Sequence, residues 1–135
     1  MKNKRIEAIF EQQDEIRKEF GASSQEMKDH YNSFTVGAWA IMSAYRRSKI
    51  KGFDEIVFEP DDIIWESSAA EVVAFCKEAK VGWFVYGSRF SGAFESVMSL
   101  VEAGARAGAF VVKTYTEEKF GGEELVEIPG IRINI

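Results

Sequence analysis

The sequence predicts an α/β fold, with α+β as the alternative, in which two N-terminal helices precede the order βαβαββ. Up to residue 52, apolar residues recur at three- and four-residue steps, which is the period of amphipathic helices. From residue 53 onward, short apolar runs typical of strands alternate with further helical patterns. The pair Gly121-Gly122 separates the last two runs and indicates a hairpin. We therefore expect a small mixed sheet with parallel crossovers and a C-terminal antiparallel hairpin.

The first predicted helix carries its apolar face from Ile6 to Phe20 and ends at Gly21, which can adopt the C-cap conformation. The second begins at Ser23, because Ser23 and Glu26 have the spacing of a capping box. It runs without interruption to Gly52.

The middle of the second helix, residues 34–42, is apolar nearly all round. A surface helix in a globular protein usually has one apolar stripe, so another element or another chain must cover the second face. We predict that Val36 and Trp39 lie in such an interface, and that a homodimer forms through this helix.

In the second half, the most apolar run is residues 81–86, which we expect in the middle of the sheet. Residues 63–65 fit either a strand or a helix, and Pro129 indicates an edge or a bulge. The fourth helix is expected to turn its stripe of Phe94, Val97, Met98, Val101 and Ala105 inward. The predicted strands are 53–58, 81–86, 109–115 and 124–135, and the predicted helices between them follow Ser68 and Gly92.

The whole chain is expected to form one domain. Its 135 residues fall within the usual size of a single core, and no linker or repeat marks a boundary. In this domain a helical hairpin, residues 1–52, packs on an α/β sheet formed by residues 53–135.

Composition and charge exclude several classes of protein. The 17 basic residues are spread among 22 acidic ones, and the formal net charge is -5. Such a charge distribution argues against nucleic acid and against an anionic membrane surface as partners. The N-terminus lacks the apolar run of a signal peptide, and no segment reaches the roughly eighteen apolar residues of a membrane span. We expect a cytoplasmic protein.

The residues that usually bind metals or attack substrates are scarce. Cys76 is the only cysteine, so an intramolecular disulfide and a cysteine-based zinc cluster are excluded. It falls on an inner helical stripe, where we expect it to be a small buried residue. His30 is the only histidine, and its polar neighbours suggest that it faces solvent. We predict no metal site, no cofactor and no identifiable catalytic residue.

The loop of residues 87–92 is the candidate ligand site. Open α/β sheets bind ligands at the carboxyl ends of their strands, and here a glycine-containing loop leads into a helix. Backbone N–H groups, the hydroxyls of Ser88 and Ser91, the guanidinium of Arg89 and the turn at Gly92 could hold a phosphate or carboxylate.

This loop departs from known nucleotide-binding motifs. Ala93 and Phe94 stand where a P-loop has its Lys and Ser/Thr, and the spacing is not GxGxxG. Ser91 also has an ordinary explanation as the N-cap of the following helix.

The segments Trp83-Phe84-Val85-Tyr86, Ser88-Arg89-Phe90-Ser91-Gly92 and Ile128-Pro129-Gly130-Ile131-Arg132 are similar to a family of small uncharacterised bacterial proteins associated with plasmids and conjugative elements. The first half of the chain resembles this family less. The resemblance implies a bacterial, cytoplasmic setting and an accessory role, and it transfers no catalytic residue.

Two functional hypotheses follow from the sequence. The first is a noncatalytic binding or protein-interaction module that forms a homodimer or binds a protein partner. The alternative is a small-molecule or anion-binding protein, or an enzyme, that uses residues 87–92. An open concave pocket at that loop would favour the alternative, whereas Phe90 and Phe94 filling the space would oppose it.

Overall fold

The computed structural model describes residues 1–135, which form an α/β fold with three N-terminal helices followed by the predicted order βαβαββ. A single 3-10 turn, Glu66–Ser68, leads into the fourth helix. The elements are α1 (Lys4–Phe20), α2 (Gln25–Asn32), α3 (Val36–Ile50), β1 (Val57–Phe58), α4 (Ala69–Ala79), β2 (Trp83–Tyr86), α5 (Ala93–Glu102), β3 (Arg106–Lys119) and β4 (Gly122–Asn134).

The predicted second helix is two helices, so the expected two-helix N-terminal hairpin is wrong. The chain leaves the helical path after α2, and α3 begins with Thr35 as its N-cap, whose side chain accepts a hydrogen bond from the N–H of Ala38 (3.1 Å). The start of α2 is capped by Ser24, not Ser23, because Ser24 Oγ accepts from the N–H of Met27 (3.1 Å). Local side-chain capping outweighs the continuous apolar period here.

The sheet has the order β1-β2-β4-β3. β1 is parallel to β2, and β4 is antiparallel to both of its neighbours. The predicted central position of β2 is confirmed, since β1 and β4 flank it. β4 supplies the expected antiparallel strand, but it lies inside the sheet and leaves β3 at the edge.

All four strands differ in length from the prediction, and β1 and β3 differ most. β1 contains only Val57–Phe58, and residues 63–65 are neither strand nor helix. β3 is 14 residues long and has a register irregularity between Ala107 and Phe110. Pro129 pairs with Val112 of β3 at a point where β2 no longer lies alongside. The pair Val112–Pro129 alternates with the hydrogen-bonded pairs of this ladder, so the proline nitrogen points away from β3 and its missing N–H breaks no ladder bond.

The helices cover one face of the sheet. The main core contains buried residues from α1 through β4, and α3 packs against α4 and β1. Side chains that point to this face from β2 and β4 alternate along each strand, as the pleat requires. Its largest fully buried members include Ile6, Ile41, Tyr45, Phe58, Phe84, Leu100 and Ile133.

The opposite face of the sheet carries a smaller cluster with Phe53, Val57, Val85 and Ile128 at its centre. The Phe53 ring packs edge-on against Tyr115 of β3, with ring centroids 5.6 Å apart. No helix lies on this face, so the loop before β1 covers it instead.

Glu55, in that loop, is buried and joins three strands. Its carboxylate accepts from Trp83 Nε1 (2.7 Å), pairs with Lys113 Nζ (2.7 Å) and accepts from Arg132 Nη2 (3.1 Å). Burial raises the pKa of this carboxyl, but the hydrogen bonds from Lys113, Trp83 and Arg132 outweigh it and hold the pKa below its ordinary value. The charge is therefore stable inside the protein.

The outer part of the β3–β4 hairpin extends beyond the rest of the sheet. Past Phe110, which lies opposite Ile131, β4 no longer has β2 as a neighbour, and the two-residue loop places Phe120 in full contact with solvent. Gly121 has φ +89°, a conformation that side chains other than glycine rarely adopt. The predicted hairpin turn at Gly121-Gly122 is thus confirmed to within one residue.

Candidate binding groove

The structure divides the predicted ligand loop between two separate surfaces. Ser88 and Arg89 line an open groove between α5 and the β3–β4 hairpin, whereas Ser91 and Gly92 lie in a second depression beside Trp65 and Phe90. An anion site formed by all four residues stays a prediction.

We call the first surface the α5–hairpin groove. Its volume is about 890 Å³, within the usual range of small-molecule sites. Nine of its 14 lining residues are hydrophobic, and Arg89 is the one ionisable cation among them. The side chains that form its walls and its end are Arg89, Phe94, Val97, Met98, Val101 and Phe110.

The apolar stripe of α5 faces the groove and not the core, so the predicted inward orientation is wrong for three of its members. Phe94, Met98 and Val101 are 71%, 46% and 40% exposed. The fully buried residues of this helix are Ser96 and Leu100. Ser96 Oγ donates to the backbone oxygen of Ile64, which satisfies the hydroxyl inside the protein.

Two backbone hydrogen bonds fix the loop that carries Arg89. The N–H of Gly87 donates to Phe58 O and the N–H of Arg89 donates to Pro60 O, both at 2.9 Å. A Cβ at Gly87 would lie 2.7 Å from Phe58 O, so only glycine allows β2 to continue this close to β1. The loop therefore holds the Arg89 backbone in a defined position at the end of the sheet.

Two polar side chains of the groove, Arg89 and Ser88, have no partner within the chain. Arg89 is exposed and forms no salt bridge, although every other arginine except Arg46 and Arg106 pairs with a carboxylate. Ser88 Oγ is buried and has no hydrogen-bond partner. A buried hydroxyl usually finds a partner, so Ser88 Oγ is an unsatisfied hydrogen-bonding group beside the groove.

Gly92, and not Ser91, begins helix α5. The N-cap of α5 is Gly92 (φ -94°, ψ 12°), and no side chain caps the helix, so the interpretation of Ser91 as an N-cap is wrong. Gly92 O accepts from the N–H of Ser96 at 3.0 Å. A Cβ at Gly92 would meet the ring of Phe90 at 2.5 Å, which shows how tightly the loop folds on itself.

The predicted interface residues lie at the start of α3 and do not line the groove. Val36 is 66% exposed. Trp39 is half-buried against His30, Tyr31 and Phe34 of its own chain, and its Nε1 donates to Tyr31 O at 2.9 Å. A homodimer through these two residues stays a prediction.

The two rare side chains are both buried. Cys76 is a small residue of the core, as predicted, and desolvation raises the pKa of its thiol to about 12. His30 is only 5% exposed, so the expectation that it faces solvent is wrong. Three aromatic rings surround it, and burial lowers its pKa.

The sequence predicted the end of the groove at Ser88 and Arg89, but it did not predict the residues that form the walls. The hairpin wall, formed by Ala107, Phe110 and Pro129–Ile131, depends on β4 lying between β2 and β3. The regular spacing of Phe94, Val97, Met98 and Val101 predicts the stripe of α5. It does not indicate whether the stripe packs in the core or lines a groove.

These features define a two-layer α/β domain with an open apolar groove beside the end of its central strand. The chain belongs to the DUF7698 family, a domain of unknown function, whose model matches residues 40–135. The match begins within α3 and includes the whole groove, while α1 and α2 precede it. No curated protein and no solved structure matches the chain. None of its helices has the length and apolar character required to cross a membrane.

Proposed function

We propose that this chain is a noncatalytic binding protein and that the α5–hairpin groove holds an apolar molecule with a carboxylate at one end. One observation carries the proposal: an open, largely apolar groove ends at an arginine that has no acidic partner in the chain. The ligand class is that of a free, long-chain amphipathic carboxylate.

The charge of the groove supports an anionic end. Arginine presents a planar fork of donors that matches a carboxylate in a bidentate geometry. No carboxylate lines the groove, so nothing there repels an anion.

The size and composition of the groove support an apolar body. The stripe from Phe94 to Val101 covers seven residue steps of helix, or about 10 Å. An alkyl chain of about this length can therefore lie along α5, with its carboxylate at Arg89. Burial of its apolar surface against the stripe would stabilise the complex by roughly 25 cal/mol per Å².

The chemistry of the lining supports binding over catalysis. General acid–base catalysis uses mainly histidine, carboxylate, lysine, tyrosine or cysteine. Of these the groove has only Tyr86, whose hydroxyl accepts a hydrogen bond from the N–H of Ile64 at 3.2 Å. His30 and Cys76 are buried elsewhere in the fold.

The test compares ligands that share a chain and differ in the head group. We expect calorimetry, below the micelle concentration, to show one dodecanoate bound per chain. Dodecanol should bind at least about tenfold more weakly, because it lacks the charge that Arg89 recognises. Arg89→Gln should remove this preference, while Arg46→Gln, a change at another exposed arginine without an acidic partner, should keep it.

Two outcomes would overturn the proposal. Equal binding of dodecanoate and dodecanol, or unchanged binding in Arg89→Gln, would exclude carboxylate recognition in the groove. Binding of an apolar peptide with a free carboxyl end, without binding of dodecanoate, would place a protein partner there instead.

The wider setting also stays a proposal. A cytoplasmic location and an accessory role in a bacterial mobile element are implied by the sequence resemblance, and the DUF7698 match adds neither an activity nor a link to plasmids. A protein-interaction role through Val36 is the second candidate function, supported by the exposure of that side chain.

A further inference from the structure

The outer edge of β3 is an unused hydrogen-bonding surface. β3 is the edge strand, and no backbone group of residues 106–119 forms a hydrogen bond outside the β3–β4 ladder. Natural proteins usually protect such an edge with proline, an inward-pointing lysine, a short strand or a covering element. β3 is 14 residues long and contains no proline, and its inward-pointing Lys113 is neutralised by Glu55 and Asp54.

The outward groups belong to alternate residues. The hairpin loop has two residues, so the closing pair of Lys119 and Gly122 exchanges hydrogen bonds across the ladder. Counting back from that pair, the N–H and C=O groups of every second residue from 118 to 110 point away from β4. Val112 is the second residue of this row, counted from Phe110.

The row is self-complementary around Val112. In an antiparallel pair of two β3 strands with a two-fold axis at Val112, Phe110 lies opposite Thr114, and Val112 lies opposite its own copy. At the ends Arg106 comes opposite Glu118, or opposite Glu117 if the irregularity between Ala107 and Phe110 shifts the register by one residue. Either neighbour is acidic, so unlike charges meet at both ends.

The neighbouring registers do not fit. An axis at Lys113 would oppose two lysines. An axis at Thr114 would place Arg106 beyond the end of the partner's β3, without an acidic residue opposite. The charges therefore select the register centred on Val112.

We propose that β3 pairs with β3 of a second copy of this chain around Val112, and that the pairing yields one continuous eight-stranded sheet. The exposed apolar side chains Phe110 and Val112, 69% and 48% exposed, then gain cross-strand neighbours. The assembly closes as a dimer, since its remaining edges are the two-residue strands β1. Phe110 also lines the α5–hairpin groove, but the pairing requires no ligand in that groove.

Sedimentation equilibrium of the full chain tests the proposal, with concentrations up to about 0.1 mM. We expect a monomer–dimer equilibrium. Val112→Pro removes one outward N–H and no bond to β4, so it should abolish the dimer while circular dichroism keeps its native form. Amide hydrogen exchange should show protection at residues 110, 112, 114 and 116 that is lost on dilution.

Charge reversal is a second test, which does not depend on tolerance of the proline. Arg106→Glu should weaken the dimer roughly two- to thirtyfold, because it places like charges at both ends. Adding Glu117→Lys and Glu118→Lys to the same chain should restore it.

A strictly monomeric protein would overturn the proposal. So would a dimer that Val112→Pro and Arg106→Glu leave intact. A dimer that dissociates on Val36→Asp and not on the β3 changes would place the interface on α3 instead.

Discussion

His30 lies among the rings of Tyr31, Phe34 and Trp39, and its Nε2 atom is buried without a hydrogen-bond partner. Desolvation lowers its pKa, so the folded protein prefers the neutral imidazole. In the unfolded chain the same group binds a proton below about pH 6.5. Protonation therefore favours the unfolded state. The free energy of unfolding is highest above that pH, where His30 is neutral in both states, and it decreases as the pH falls.

We predict that the free energy of unfolding decreases between about pH 8 and about pH 5, and that His30→Phe removes much of this decrease. Phenylalanine fits the aromatic surroundings and has no proton to bind. Urea unfolding of both proteins at the two pH values measures the difference. An equal decrease in wild type and variant would show that other groups cause it.

For single residues, the sequence predicted which side chains could face a ligand, but it did not predict which side chains are buried. The position of Ser88 and Arg89 after a central strand predicted that they would be presented to a ligand, and the structure places both in a groove. Polar neighbours of His30 in sequence suggested exposure, but its spatial neighbours come from α2, α3 and the turn between them. Burial depends on those long-range contacts.

At the scale of elements, α3 and α4 approach closely at Gly37. A Cβ at this position would lie 2.6 Å from Glu71 Cβ and 2.7 Å from the backbone nitrogen of Val72. Glu71 also accepts a hydrogen bond from the N–H of Gly37 (3.3 Å). The absence of a side chain thus allows the two helices to touch.

Gly37→Ala should destabilise the protein by about 1–3 kcal/mol, since the helices must separate. Alanine favours a helix over glycine by roughly 1 kcal/mol, which acts in the opposite direction. Gly82→Ala is the matched control, because a Cβ there meets nothing within 4 Å. Thermal unfolding of both variants gives the comparison, and a Gly37→Ala protein as stable as wild type would show that the helices can adjust.

The presence of each helix and strand was easier to predict than the residues at which it begins and ends. All four strands and the helices after β1 appear where their apolar runs lie. The break after α2 was missed because Met27, Phe34 and Ala38 continue one helical period across it. The orientation of α5 was missed because a stripe does not reveal whether it faces the core or a groove.

At the scale of the whole molecule, ion pairs and a hydrogen bond to Glu55 stabilise the face of the sheet that no helix covers. Glu55 links the loop before β1 to β2, β3 and β4 through Trp83, Lys113 and Arg132. This arrangement fixes the base of the hairpin, and with it one wall of the α5–hairpin groove. Removing a partner from a buried ion pair costs far more than the pair itself contributes.

Glu55→Gln should therefore destabilise the protein by about 1–3 kcal/mol, because it leaves Lys113 and Arg132 without their shared carboxylate. Asp54→Asn is the control: Asp54 also pairs with Lys113, but its side chain is 84% exposed. We expect less than about 1 kcal/mol for that change. Denaturant unfolding measures both, and equal effects would contradict the role assigned to burial.

The position of β4 between β2 and β3 has a consequence for biosynthesis. β3 has no partner in the sheet other than β4, so while β3 leaves the ribosome it cannot join β1 and β2. Only when β4 follows can it pair with β3 locally and then enter beside β2. Until that step the only sheet in the nascent chain is the pair β1–β2, which is too small to be stable alone. The apolar side of α5 and the unpaired β3 would both be accessible to a chaperone during this time.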